Sequence, residues 1–192
     1  MSMTSNPASV VDDEAFTVTR SIRIAAPVEK VWAAVTEPEH ISRWFGRAEF
    51  AGAGVGAGAT ATPGVTGTIT WPGRDAVPLR IEAVDAPRLI SYRWCNPCLG
   101  EPVPSEIDEA HSTVFTFTLE PVDGGTRLTV VETGFETTSD PKADLESHRG
   151  GWDGELDKLV ALLESGATEA GATETAEPTE TGAGPVGARV HA

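Results

Sequence analysis

From Phe16 to Ile24 the chain alternates apolar and polar positions, with Phe16, Val18, Ile22 and Ile24 set against Thr17, Thr19, Ser21 and Arg23. A period of two predicts a strand with one buried face, and only Arg20 interrupts that face. The period then changes. Val28, Val31, Trp32 and Val35 recur at helical spacing behind Pro27, whose missing N–H costs nothing in a first helical turn. Pro38 ends that helix and permits a second, short one through Ile41, Trp44 and Phe45.

Residues 52 to 67 are rich in Gly, Ala and Thr and predict a loop or a weak edge strand. Strands follow at about Gly67–Trp71, Val77–Val84 and Leu89–Trp94, the last two joined by the turn Asp85-Ala86-Pro87-Arg88, which favours antiparallel neighbours. Beyond a polar, proline-containing loop from Asn96 to Glu109 come His111–Leu119 and Thr126–Phe135, paired as a hairpin across Asp123-Gly124-Gly125. The last periodic segment begins near Pro141, and Trp152, Leu156, Leu159 and Leu163 mark one buried helix face. Gly150, Gly151 and Gly154 lie in it, which implies close approach of another backbone, a bend or a late helix start.

Composition sets the limits of the folded part. From Gly166 the chain is a near-repeat of Gly, Ala, Thr and Glu with no large apolar residue, and it is expected to be disordered. The first residues are small and polar. The expected organisation is a flexible segment over residues 1–14, one domain over 15–165, and an acidic, disordered tail over 166–192.

The formal net charge is −15, and the tail contributes little of it, having only Glu169, Glu174, Glu177 and Glu180 against Arg189. An acidic domain repels phosphate backbones and anionic leaflets, so neither nucleic acid nor a membrane surface is an expected partner. No apolar run approaches the ~20 residues of a spanning helix, and Met1–Pro7 lacks the basic and apolar regions of a signal peptide. A cytoplasmic location is therefore expected.

Candidate chemistry is sparse. Cys95-Asn96-Pro97-Cys98 has the spacing of a redox pair or half a zinc site, but no helix opens behind it and no second ligand pair exists. A structural or incidental role is expected, with no metal and no cofactor. His148, one turn before Trp152, is a candidate general acid or base, although spacing identifies no orienting carboxylate and an exposed or merely hydrogen-bonded histidine is the simpler reading. Arg20, Arg93 and Glu132 are charges within strands, and Arg20 falls on an apolar face. Snorkelling at the sheet edge is preferred there over a buried salt bridge or an anion anchor.

The order of these features, with Ala26-Pro27-x-x-x-Val31-Trp32 near the start, Trp44-Phe45 closing the second helix and Gly151-Trp152 on the last, resembles the activator of heat-shock-protein-ninety ATPase homologue family (AHSA-type). That family belongs to the START-like (SRPBCC) superfamily, and the resemblance covers roughly Phe16 to Leu163. It implies an α+β helix-grip fold: a curved antiparallel sheet of about six to seven strands around a long C-terminal helix, with two short helices after the first strand. Most members of known role bind hydrophobic small molecules. The shared motifs are structural, so no catalytic residue is carried over.

The expected function is binding, sequestration or transport of a small hydrophobic, aromatic-type ligand in an internal cavity, by a monomer or homodimer. Cavity candidates are Trp44, Trp71, Tyr92, Trp94, Phe115, Phe117, His148 and Trp152. Tyr92 and the tryptophans rank first, because a buried O–H or indole N–H needs a partner that a ligand would supply. The alternatives are an aromatase- or cyclase-type enzyme using the same cavity, or a protein-binding accessory factor of the Hsp ATPase activator kind. An acid and base pair on the cavity wall favours the enzyme, an apolar wall the carrier and a wide exposed apolar patch the accessory factor.

Overall fold

The computed structural model describes residues 5–51, 61–97 and 100–172. Cys98, and with it any pairing of the two cysteines, and residues 173–192 of the expected tail lie outside the described residues. Eight strands form one antiparallel sheet: β1 (Val10–Asp12), β2 (Thr17–Ile24), β3 (Arg47–Phe50), β4 (Thr66–Thr70), β5 (Val77–Asp85), β6 (Leu89–Trp94), β7 (Thr113–Val122) and β8 (Gly125–Thr133). Their order across the sheet is β1-β2-β8-β7-β6-β5-β4-β3. Helices α1 (Val28–Thr36) and α2 (Pro38–Ile41) follow β2, and α3 (Pro141–Ala172) closes the fold. This is the helix-grip architecture.

Two strands exceed expectation, and both are edges. β1 falls in the segment expected to be flexible. It is held by pairing of Val10 with Thr19 and Val11 with Val18, and by Ser9, whose N–H and hydroxyl both donate 2.7 Å bonds to Asp153 Oδ1. β3 alternates charged Arg47 and Glu49 with Ala48 and Phe50, so its apolar content is too thin to read as a strand. Phe16, expected on the buried face of β2, instead ends the β1–β2 turn at φ 50°, where Asp12 Oδ1 accepts from the N–H groups of Glu14 and Ala15.

The core lies between the concave face of the sheet and α3. Leu145, His148, Trp152, Leu156 and Leu159 are its buried helix stripe, facing Ile90, Tyr92 and Trp94 of β6, Phe115, Phe117 and Leu119 of β7, and Leu128 and Val130 of β8. α3 starts where Asp140 caps it, its carboxylate accepting from the Ala143 N–H at 3.1 Å. It continues past Ser165, where the domain was expected to end. A late helix start is therefore not the reason for its three glycines. Nor is close backbone approach, since a Cβ built on Gly150, Gly151 or Gly154 meets nothing within 4 Å.

At the end of α1 the last carbonyls would be orphaned inside the protein, and aromatic side chains satisfy them. Trp44 Nε1 donates to Ala34 O at 2.8 Å and the Tyr92 hydroxyl to Val35 O at 2.7 Å, while the Glu37 N–H reaches Ala33 O. Burial pushes the Tyr92 phenol far above its ordinary range, so it stays a neutral donor.

Arg20 corrects the expectation of a snorkelling side chain. It is 4% exposed and clamps β2 to α3: Nε donates to Pro7 O at 2.9 Å, Nη1 to Trp152 O at 3.1 Å and Asp153 O at 2.7 Å, and Nη2 to Asp157 Oδ1 at 2.7 Å. A guanidinium fork supplies donors for three carbonyls as well as the acid, which an edge position in the sequence gives no hint of. Arg20→Met is expected to lower stability by about 1–3 kcal/mol in urea denaturation, because the carbonyls lose partners while the exposed Asp157 simply hydrates.

Candidate functional site

The candidate site is built where β6, β7 and β8 end beneath the first half of α3. Leu128, Val130 and Glu132 alternate onto the inner face of β8, so the last of them points its carboxylate into the core. Glu132 is 0% exposed. Oε1 accepts from Trp94 Nε1 at 2.7 Å and from the Thr113 hydroxyl at 2.5 Å, and Oε2 from Trp152 Nε1 at 2.7 Å. His148 Nδ1 lies 3.0 Å from both oxygens. One carboxylate thus ties together three strands and α3.

The protonation of the pair follows from what its partners can do. His148 Nε2 sits 2.9 Å from the Asn96 carbonyl, an acceptor only, and Nδ1 faces a carboxylate that already takes three other donors. Against an ionised Glu132 both ring nitrogens donate, and the ring is an imidazolium. Burial opposes that charge, but the Glu132 carboxylate, its hydrogen bond and the Asn96 carbonyl outweigh it and hold His148 above its ordinary value. Burial likewise opposes ionisation of Glu132, and the His148 charge with the bonds from His148, Thr113 and Trp94 holds it below the ordinary carboxylate range.

Two clefts meet at this hub along Trp94, Asn96 and His148. The larger, about 460 Å³, opens under the loop after β6, where short polar side chains and prolines line it together with Cys95, Phe135 and the acids Glu101, Asp108 and Asp144. Burial pushes the Cys95 thiol up, which disfavours its thiolate. The smaller, about 240 Å³, is walled by four aromatic side chains, Phe45, Trp71, Trp94 and Trp152, with Gly151 leaving room on the helix side. Phe45 stacks on Trp152 at 5.5 Å and on Trp94 at 5.8 Å, and meets Trp71 edge-on at 5.3 Å. Arg74 and Glu155 complete its lining. Burial pushes the Glu155 carboxyl up against Lys158 and the Trp71 N–H, which favour its ionised form. Lys158 Nζ lies 2.5 Å from Glu155 Oε2.

The sequence candidates separate into two groups. Trp71, Trp94, His148 and Trp152 come together around the smaller cleft. Tyr92, Phe115 and Phe117 pack on one another in the core, at 5.2 Å and 5.6 Å between ring centroids, and line neither of these clefts. Trp44 stacks behind Phe45 at 5.0 Å. The polar atoms expected to await a ligand have protein partners in Tyr92, Trp44, Trp94 and Trp152. Sequence reasoning named Glu132 only as a charge within a strand and did not place Phe45 or Arg74 at the site. For Glu132 the signal was present in its spacing from Leu128 and Val130.

Among the described residues no group of three or more His, Cys, Asp and Glu side chains converges as a metal site, and no helix is long and apolar enough to cross a membrane. A search of curated proteins returned no match. Solved structures do match. Protein MLL2253 from Mesorhizobium loti is 26% identical over 78% of this chain and 97% of its own, with a TM-score of 0.61. The Aha1 dimer from Colwellia psychrerythraea is 18% identical over 78% of this chain and 97% of its own (TM-score 0.59). CalU16 from Micromonospora echinospora is 18% identical over 86% of this chain and 88% of its own (TM-score 0.54). Residues 25–164 match the family model described as Activator of Hsp90 ATPase homolog 1-like protein, which spans both short helices, the sheet from β3 onward, the Glu132–His148 hub and the first part of α3, and the chain belongs to that family.

Proposed function

We propose that the protein binds a small hydrophobic molecule, with an aromatic or other flat apolar body, in the cleft between Trp71 and Trp152. The observation that carries this reading is an open cleft whose walls are four aromatic side chains already ordered by packing and hydrogen bonds. Sites for small molecules are concave, mostly apolar and preformed, with a few fixed polar groups. Joined to the 460 Å³ cleft, this one offers space of the usual size for such a ligand.

The enzyme reading finds less support. An acid and base pair is present, but Glu132 is sealed from the cleft and both nitrogens of His148 are engaged, so neither is placed to exchange protons with a bound molecule. The accessory-factor reading wants an apolar patch, and the exposed large hydrophobic residue among those described is Val10.

A neutral bicyclic aromatic, 2-naphthamide, is the probe. At about tenfold excess over its Kd it is expected to raise Tm by about 3–6 °C and to quench tryptophan emission saturably. Trp71→Phe, which alters a half-buried wall residue outside the Glu132 hub, is expected to remove part of the quenching and retain most of the Tm shift. No Tm shift at saturating probe would end this reading.

A further inference from the structure

The rim of the aromatic cleft carries charge of the wrong sign for this protein. A second groove adjoins the cleft through Phe45, Trp71 and Arg74, and its other charged side chains are Arg43, Arg47 and Lys158, with no acid among the described residues that line it. In a chain of formal charge −15 this is a local reversal.

Pairing leaves part of that charge uncompensated. Arg47 lies 2.7 Å from Glu49, Lys158 pairs with Glu155, and His148 pairs with Glu132. Among the described residues Arg43 and Arg74 have no carboxylate partner. Arg74 is half-buried at the tip of the β4–β5 hairpin, where Gly73 at φ 75° turns the chain and the Arg74 N–H bonds Trp71 O. Its Nη2 reaches only neutral acceptors, Pro97 O at 3.2 Å and Asn96 Oδ1 at 3.4 Å, and its guanidinium lies 5.8 Å from the centre of the Trp71 ring. A planar cation is thus held against one wall of the cleft by weak, neutral contacts. An anion would displace or complete them with a stronger charge-assisted bond.

We propose that the ligand is an organic carboxylate, its apolar body between the aromatic walls and its carboxylate on Arg74, with Arg43 adding long-range attraction. This rests on the cleft-binding reading and names the class of ligand that reading leaves open. In the smaller cleft the acid in the wall is Glu155, which is paired with Lys158; Glu101, Asp108 and Asp144 line the larger cleft, so the ligand's carboxylate is placed at the Arg74 end, away from them.

The test compares 2-naphthoate with its neutral counterpart 2-naphthamide by calorimetric titration at low and high salt. The wild type is expected to bind the carboxylate about tenfold more tightly at low salt, an advantage that shrinks as salt screens the half-exposed cation. Arg74→Gln is expected to bring the ratio of the two affinities near one, and Arg74→Lys to restore part of it. Equal affinities in the wild type, or an unchanged ratio in Arg74→Gln, would overturn the proposal while cleft binding stood. Binding of neither probe would remove both.

Discussion

Glu132→Ala is expected to lower the unfolding free energy by about 3–5 kcal/mol in urea denaturation, the largest effect of any single polar substitution in this protein. The carboxylate is fully buried and takes donors from Trp94, Thr113, His148 and Trp152. Its removal leaves an imidazolium without its carboxylate and the Thr113 hydroxyl and Trp152 N–H unmet at once, while Trp94 Nε1 retains Thr113 Oγ1 at 2.8 Å. His148 will partly escape by losing its proton, so Glu132→Ala and His148→Ala together should cost less than the sum of the two.

The same pair fixes a pH profile. The His148 contribution, from a raised folded-state value, is fully present below its ordinary 6.5 and is lost as pH rises through that raised value. The Glu132 contribution, from a lowered value, is fully present above its ordinary 4.5 and is lost as pH falls through the lowered one. Wild-type stability should therefore include a plateau from this pair between those two ordinary values and decline on both sides. In Glu132→Ala the alkaline decline should flatten, and an unaltered profile would show that the pair is not ionic.

Trp152→Ala is expected to cost a comparable 3–5 kcal/mol, for a different reason. The indole is 2% exposed and touches Phe45, Trp94, Phe115 and Phe117, with centroids 5.2–6.1 Å away. Truncation opens a cavity at the centre of the aromatic cluster and deprives Glu132 of its Oε2 donor from Nε1. Trp152→Phe keeps most of the volume but not the donor, so its smaller loss separates packing from hydrogen bonding. A loss below about 1 kcal/mol for Trp152→Ala would place the residue outside the core.

The central strands, the helices and the grip of α3 were legible because each carries a local period: alternation in β2, β6, β7 and β8, and the spacing Trp152, Leu156, Leu159 in α3. The edges were not. Both are short: β3 is half charged, as edge strands that resist further pairing are, while β1 is only Val10-Val11-Asp12 and is secured by polar bonds from Ser9 that no hydrophobic pattern records. The site was half legible. His148 stood out, but its orienting carboxylate arrives from β8, a contact set by topology instead of helical spacing. The aromatic wall draws Phe45 from behind α2, Trp71 from behind β4, Trp94 from β6 and Trp152 from α3. Four residues so far apart share no spacing, and the same aromatic character belongs to Tyr92, Phe115 and Phe117, which pack in the core and line neither of these two clefts.

Binding in the aromatic cleft is tested most directly by the indole N–H signals of the five tryptophans, followed by NMR as 2-naphthamide is added. Trp71, Trp94 and Trp152 are expected to shift together and saturate with one affinity, while Trp32 on α1, outside both clefts, stays in place. Equal shifts at Trp32, or no shift at Trp71, Trp94 and Trp152 when the probe is in large excess, would contradict a binding site in the aromatic cleft.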